Sequence, residues 1–168
     1  WGEPAAGPLH REHRLGGLRW LCLDSTVPGA PHGEVSEAAA DWLAGRLASP
    51  APEGTVLALH HPPLPVVQDA AARWDLRGAE RLAAAVTGSD VRLIVGGHFH
   101  QTMFSTLGGV PVAASTSLVA ANDLTAGRTL RPHALHGGFN LIQLYDDRVV
   151  VSAVPLDAGP GVLPALPP

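Results

Sequence analysis

Apolar residues along this chain fall into two patterns. Short runs from Leu18 to Asp24, Thr55 to Leu59 and Val91 to Val95 are bounded by Gly, Pro and Asp, which predicts buried strands. Between the first two, Ala39, Trp42, Leu43 and Leu47 recur at helical spacing while Glu37, Asp41 and Arg46 face away. Ser36 is suited to cap this helix, which runs to about Ser49 and is stopped by Pro50-Ala51-Pro52. A second amphipathic helix covers Gly78 to Val86, with Leu82, Ala83 and Val86 inward, and Thr87-Gly88-Ser89-Asp90 ends it. Strand, helix, strand, helix, strand is the alternation of an α/β fold.

From Gln101 the rhythm changes to hairpins. Gln101 to Leu107 and Val110 to Ser115 flank Gly108-Gly109, a two-residue turn signal, and Phe139 to Tyr145 and Arg148 to Pro155 flank Asp146-Asp147. Residues 1–17 carry Gly, Pro, His and Arg without a period and read as a loop or torn edge. Residues 156–168 read as a Pro/Gly-rich tail, which leaves 18–155 as the domain.

Composition narrows the function classes. With 168 residues, 46% hydrophobic and 15% charged, the chain has material for a sizeable core. Its net charge of −4, with every basic side chain an arginine, offers no long-range field for nucleic acid or an anionic membrane. No run is apolar for long enough to cross a bilayer, and nothing at the start resembles a signal peptide. The single Cys22, in an apolar run, reads as core packing, and a cytoplasmic location is expected. The chain starts at Trp1 and its only methionine is Met103, so a piece of a longer protein is expected.

Candidate chemistry sits just after two of the strands. His60-His61-Pro62-Pro63 follows one and Gly97-His98-Phe99-His100 follows another, at strand ends where α/β sheets place ligand sites. On an extended segment His98 and His100 would point to one side and Phe99 to the other. Gly96-Gly97 leaves room for a metal or anion close to the backbone. The prolines restrict His61 to extended geometry, so one of His60 and His61 binds metal while the other meets substrate or supports the loop. Imidazole suits Zn, Mn, Fe or Ni. His32, in the loop Val27 to Gly33, and His136 are weaker candidates, while His10, His13 and His133 read as surface residues. No Gly-x-Ser-x-Gly elbow or phosphate-cradling Gly-Lys-Ser loop is present, which removes support for serine hydrolase and NTPase readings.

The pair of blocks, His60-His61-Pro62-Pro63 and Gly97-His98-Phe99-His100, resembles the two C-terminal signature blocks of the calcineurin-like metallophosphoesterases. Leu23-Asp24-Ser25-Thr26-Val27-Pro28-Gly29 with Gly33-Glu34, Trp42-Leu43, and Gly109-Val110-Pro111-Val112 are similar to bacterial class III cyclic-nucleotide phosphodiesterases of actinobacterial type, over roughly 18–155. The resemblance implies the C-terminal half of a four-layer α/β/β/α sandwich. It implies that His60 and His98 ligate one metal of a binuclear centre of the Mn, Fe or Zn class and that His100 ligates the other. His61, His32 and the backbone near Gly97 would line a phosphate pocket, and the substrate would be a small phosphodiester such as cAMP or cGMP. The exposed hairpins leave room for a homodimer.

The family's Asp-x-His, Gly-Asp and Gly-Asn-His blocks do not occur in the sequence, so the resemblance implies that this stretch alone has little or no turnover. Two other readings stand beside it. One is a truncated or degenerate chain that keeps a mononuclear histidine site without turnover, and the other is a structural half-domain whose histidines bind nothing.

Overall fold

The computed structural model describes residues 7–127, 129, 131–133 and 137–156; His136 and the expected tail beyond Leu156 lie outside them. Strands β1 (Arg11–Leu15), β2 (Leu18–Cys22), β3 (Thr55–Ala58), β4 (Val91–Gly96), β5 (Met103–Leu107) and β6 (Val110–Ala114) form one sheet in the order β1-β2-β3-β4-β6-β5. β2, β3, β4 and β6 run parallel, with β1 and β5 antiparallel at the edges. Helix α1 (Glu37–Leu47) connects β2 to β3, and α2 (Ala79–Val86) connects β3 to β4. This is the mixed α/β architecture expected from the alternating pattern.

The helices form where the sequence places them. The Ser36 side chain accepts from the Ala39 N–H at the start of α1, and the apolar stripes of α1 and α2 meet one face of the sheet. There Ala39, Leu43, Leu82 and Val86 pack with Leu21, Leu57, Ile94 and Val112 in a single core cluster. Val56, Leu93 and Ala113 alternate with the core residues of their strands and are buried as well. At the other hairpin, Gly108 and Gly109 both take positive φ, the backbone that their two-residue turn requires.

Two parts of the fold differ from expectation. Residues 11–15 are an edge strand rather than a loop: the turn at Gly16-Gly17 returns the chain antiparallel along β2, whose edge amides need partners. A sequence of Arg, Glu, His, Arg and Leu has no alternating apolar pattern because the strand is largely exposed, and its charges suit an edge. Cys22 is half-buried rather than a core residue.

Past β6 the chain forms two short strands, β7 (Ala121–Asn122) and β8 (Pro132–His133), and then the hairpin of β9 (Gly138–Leu144) and β10 (Val149–Pro155). The hairpin is tied to the sheet by the Asn140 amide donating to the Ala114 carbonyl and by the Arg92 guanidinium donating to the carbonyls of Tyr145 and Arg148. One face of it leaves Phe139, Leu141 and Val150 exposed. Among the described residues no helix is long and apolar enough to cross a membrane.

Candidate metal centre

Parallel pairing carries the two histidine blocks to one rim. Beyond the last paired residues of β3 and β4 the ladder continues, with Leu59 N–H donating to the Val95 carbonyl at 3.0 Å and Gly97 N–H to the His60 carbonyl at 3.1 Å. Gly96 lies tightly under this junction, where an added Cβ would stand 3.0 Å from Pro62 Cβ and 3.3 Å from the Leu59 carbonyl oxygen. The His60 and His98 blocks are therefore fixed to each other through the backbone.

The side chains converge as a result. His60 Nε2 and His98 Nδ1 are 3.1 Å apart, and one ring nitrogen from each of His60, His61 and His98 lies within 4.8 Å of the others. Two nitrogens held at about 2.0–2.1 Å from one tetrahedral ion stand roughly 3.3 Å apart, so this spacing fits a shared ion. His98 Nε2, the ring nitrogen that does not face His60, is buried. Among the described residues, no carboxylate joins the group.

Electrostatics favour neutral imidazoles here. Burial, and then the charge of His100, push His60 below its ordinary range. Burial followed by His60 does the same to His98, opposed by the Trp74 carbonyl. His61 is pushed down to about 4, first by burial and then by His98 and His60, against the opposing Pro31 carbonyl. A neutral imidazole is the form that ligates a metal.

The segment that carries His98 and His100 is not extended. Both residues take left-handed backbone, with φ of 66° and 53°, and the Phe99 N–H donates back to the Gly97 carbonyl at 2.8 Å. Phe99 is buried and anchors the turn, so the expected alternation of ring directions gives way to a local bend. His100 stands outside the three-imidazole cluster and lines a cavity of about 280 Å³ with Gln101, Thr116, Asn122 and Phe139. It is still near enough for its charge to depress both His60 and His98.

His61 points into the fold, where its Nδ1 is 2.9 Å from Ser25 Oγ. Half-buried His32 lies on the loop that returns past His61, close enough for its charge to lower the His61 pKa. Of the histidines read as surface residues, His13 is exposed, whereas His10 stacks on Trp42 at 4.8 Å and accepts the Asp24 N–H through Nδ1. His133 belongs to β8. The sequence reading gave no role to Ser25 or Gly33, which entered it only within the family-like segment, and did not single out Trp74.

No family model matches the chain. A probable cyclic nucleotide phosphodiesterase of Rhodococcus erythropolis is 45% identical over 161 residues, 94% of this chain and 53% of that protein. A cAMP/cGMP dual specificity phosphodiesterase of Mycobacterium tuberculosis is 44% identical over 93% of this chain and 49% of its own length. The chain is a homologue of bacterial cyclic nucleotide phosphodiesterases.

The chain spans about half the length of the curated relatives it matches. The 3',5'-cyclic adenosine monophosphate phosphodiesterase of Escherichia coli strain K12 matches less of it, with 39% identity over 52% of this chain and 33% of that protein. Among solved structures, a protein of Staphylococcus aureus described as a putative 5'-nucleotidase superposes with a TM-score of 0.48 at 10% identity, covering 92% of this chain and 31% of that one. The homology to these phosphodiesterases agrees with the resemblance to bacterial cyclic-nucleotide phosphodiesterases read from the sequence.

Proposed function

We propose that this phosphodiesterase homologue supplies the imidazole part of a metal-dependent site that hydrolyses a small phosphodiester, a 3',5'-cyclic nucleotide such as cAMP or cGMP. The observation that carries the reading is the 3.1 Å approach of His60 Nε2 and His98 Nδ1 from the ends of adjacent parallel strands. The printed names of the relatives supply the substrate class.

In this reading His60 and His98 hold one ion of the Mn, Fe or Zn class and His100 contributes to a second. Bound there, such ions polarise a phosphoryl oxygen and make a nucleophile available at neutral pH. The chain's own residues do the rest of the work described here. Burial keeps the three imidazoles unprotonated near pH 7, and the backbone at Gly97 admits a phosphate close to the chain. His61 and His32 line the phosphate side. Residues 18–155, extended by β1, form the corresponding part of the domain, and the carboxylate ligands come from a segment matching the other half of the relatives.

A second reading, a histidine site that binds metal without turnover, is favoured by the absence of any carboxylate from the cluster among the described residues. For this chain alone the two readings coincide, since imidazoles bring no negative charge to balance two cations. A metal-supplemented assay on a chromogenic phosphodiester separates them for the full-length protein. Full-length protein should turn over, its His98→Ala variant should lose most activity, His133→Ala should keep it, and the chain alone should show little. Robust turnover by the chain alone, or none by the full-length protein, overturns the proposal.

A further inference from the structure

The turn that carries His98 and His100 is held against its own preference. The Gly97 carbonyl and the Phe99 N–H close a three-residue turn over His98, whose φ of 66° gives it the rare and strained hand of that turn. His100 follows with φ of 53°, again a backbone that a β-carbon disfavours. The bonds that fix His100 come from outside the turn.

Asn122, at the end of β7, supplies two of them. Its side-chain Nδ2 donates to the Phe99 carbonyl at 2.6 Å, and its backbone N–H donates to the His100 carbonyl at 2.8 Å. These carbonyls belong to the two peptide planes that flank the His100 Cα, and the φ and ψ of a residue are the rotations of those planes about it. A single residue that grips both planes therefore sets the backbone of His100, and with it the direction of the Cα–Cβ bond that carries the imidazole. Thr116 Oγ1 adds a longer contact, 3.3 Å from the His100 carbonyl and 3.4 Å from that of Ala120.

The grip is itself anchored. Gln68, 1% exposed, donates through Nε2 to the carbonyls of Asp123 at 3.1 Å and Thr129 at 3.0 Å. Its Oε1 accepts from Nε2 of Gln101, which is equally buried, at 2.9 Å. The residue after His100 and the residue after Asn122 are thus tied through one buried amide pair.

We propose that Asn122 is a positioning residue for His100, fixing the two peptide planes that flank it so that the imidazole is set for its ion. The metal role rests on the reading above, in which His60 and His98 hold one ion and His100 contributes to a second; the hold on the backbone does not. The side-chain amide matters as a donor. An aspartate of the same shape sets a carboxylate oxygen against the Phe99 carbonyl, and attraction becomes repulsion.

Backbone carbon shifts of the metal-free, 13C,15N-labelled chain test the hold. Wild type should show left-handed values at His98 and His100, and Asn122→Asp should move His100 out of that range while Thr55–Ala58 of β3 keep theirs. His100 outside the left-handed range in wild type, or still within it in Asn122→Asp, overturns the proposal.

Mn2+ calorimetry on the full-length phosphodiesterase tests the metal role. Asn122→Asp should weaken by roughly 10–100-fold the same ion that His100→Ala weakens, and leave within about twofold the ion that His98→Ala removes. Ser36→Ala, a loss of stability remote from the site, should leave both ions unchanged. Turnover by Asn122→Asp should recover as Mn2+ is raised. Equal weakening of both ions, or of neither, overturns the role. A wild-type protein that takes up a single ion defeats the two-ion reading and the metal role together, while the carbon shifts decide separately whether Asn122 sets His100. If Asn122→Asp fails to fold, Asn122→Ala removes the donor without adding a charge and is read the same way.

Discussion

Strands β2, β3 and β4 begin in one polar cluster and end beside another, and the two differ in how completely their atoms are matched. At the starts, Arg19 donates through Nε to Thr55 Oγ1 at 2.8 Å and through Nη2 to both Asp90 oxygens at 2.7 and 2.9 Å. Its Nη1 reaches the Arg46 and Ser49 carbonyls at the end of α1. Asp90 also accepts from the Thr55 hydroxyl and the Ala51 N–H, both at 2.8 Å. At the ends, three imidazoles crowd one another, and among the described residues no carboxylate joins them. A closed network of opposite charges fastens the fold, whereas an open cluster of like groups is left for a ligand to complete.

The largest effect should come from breaking the closed cluster. Arg19→Ala leaves Asp90 shielded from water without its guanidinium, and a urea or thermal melt should show a loss of about 3–5 kcal/mol. Metal affinity of the molecules that stay folded should not change. A variant as stable as wild type would erase the contrast between the two ends.

Next comes the open cluster. His98→Ala should weaken Zn2+ binding, followed by calorimetry, by more than the roughly 10–100-fold typical of losing an outer partner of a ligand. Metal-free stability should fall far less than for Arg19→Ala. The reverse ranking would mean that the histidines are structural.

Acid should expose the same asymmetry. The folded pKa of His61 lies at about 4, below its ordinary 6.5, so the unfolded chain binds more protons between these values. Stability of the metal-free chain is then highest above pH 6.5 and declines as pH falls toward 4. His60 and His98 act in the same direction. Melting temperatures at pH 7.5 and 5 measure the decline, and His61→Gln should flatten it. A melt insensitive to pH over this range contradicts the burial argued for His61.

The smallest effect gives a baseline remote from both clusters. Ser36→Ala removes the α1 cap and should cost about 1 kcal/mol in a urea melt, with Zn2+ affinity unchanged.

Much of this arrangement was legible in the sequence because local patterns encode it. The runs at Leu18, Thr55 and Val91, the cap at Ser36 and the paired glycines at 108 and 109 each state a local geometry, and each formed where expected. Arg11–Leu15 escaped notice because an exposed edge strand has no buried face to write an alternation into the sequence. The two-turn 3₁₀ segment Asp69–Trp74, which brings Trp74 to 6.3 Å from His98, also carried no usable period. The spacing of His98, Phe99 and His100 suggested an extended segment, but burial of Phe99 and the return hydrogen bond to Gly97 won. Ser25 and Asp90 act through partners more than thirty positions away, and no local window contains both halves of such a contact.

The left-handed backbone at residues 98 and 100 also bears on how these positions can evolve. Histidine is uncommon at φ of 66° and 53°, and such conformations cost on the order of 1–3 kcal/mol each, whereas Gly and Asn enter them readily. Selection for folding alone should therefore drive both codons toward Gly or Asn, and only selection for a ligand should hold histidine there. Sorting a library randomised at the two positions, once for expression of folded chain and once for retention on a zinc resin, would let sequencing read that conflict directly.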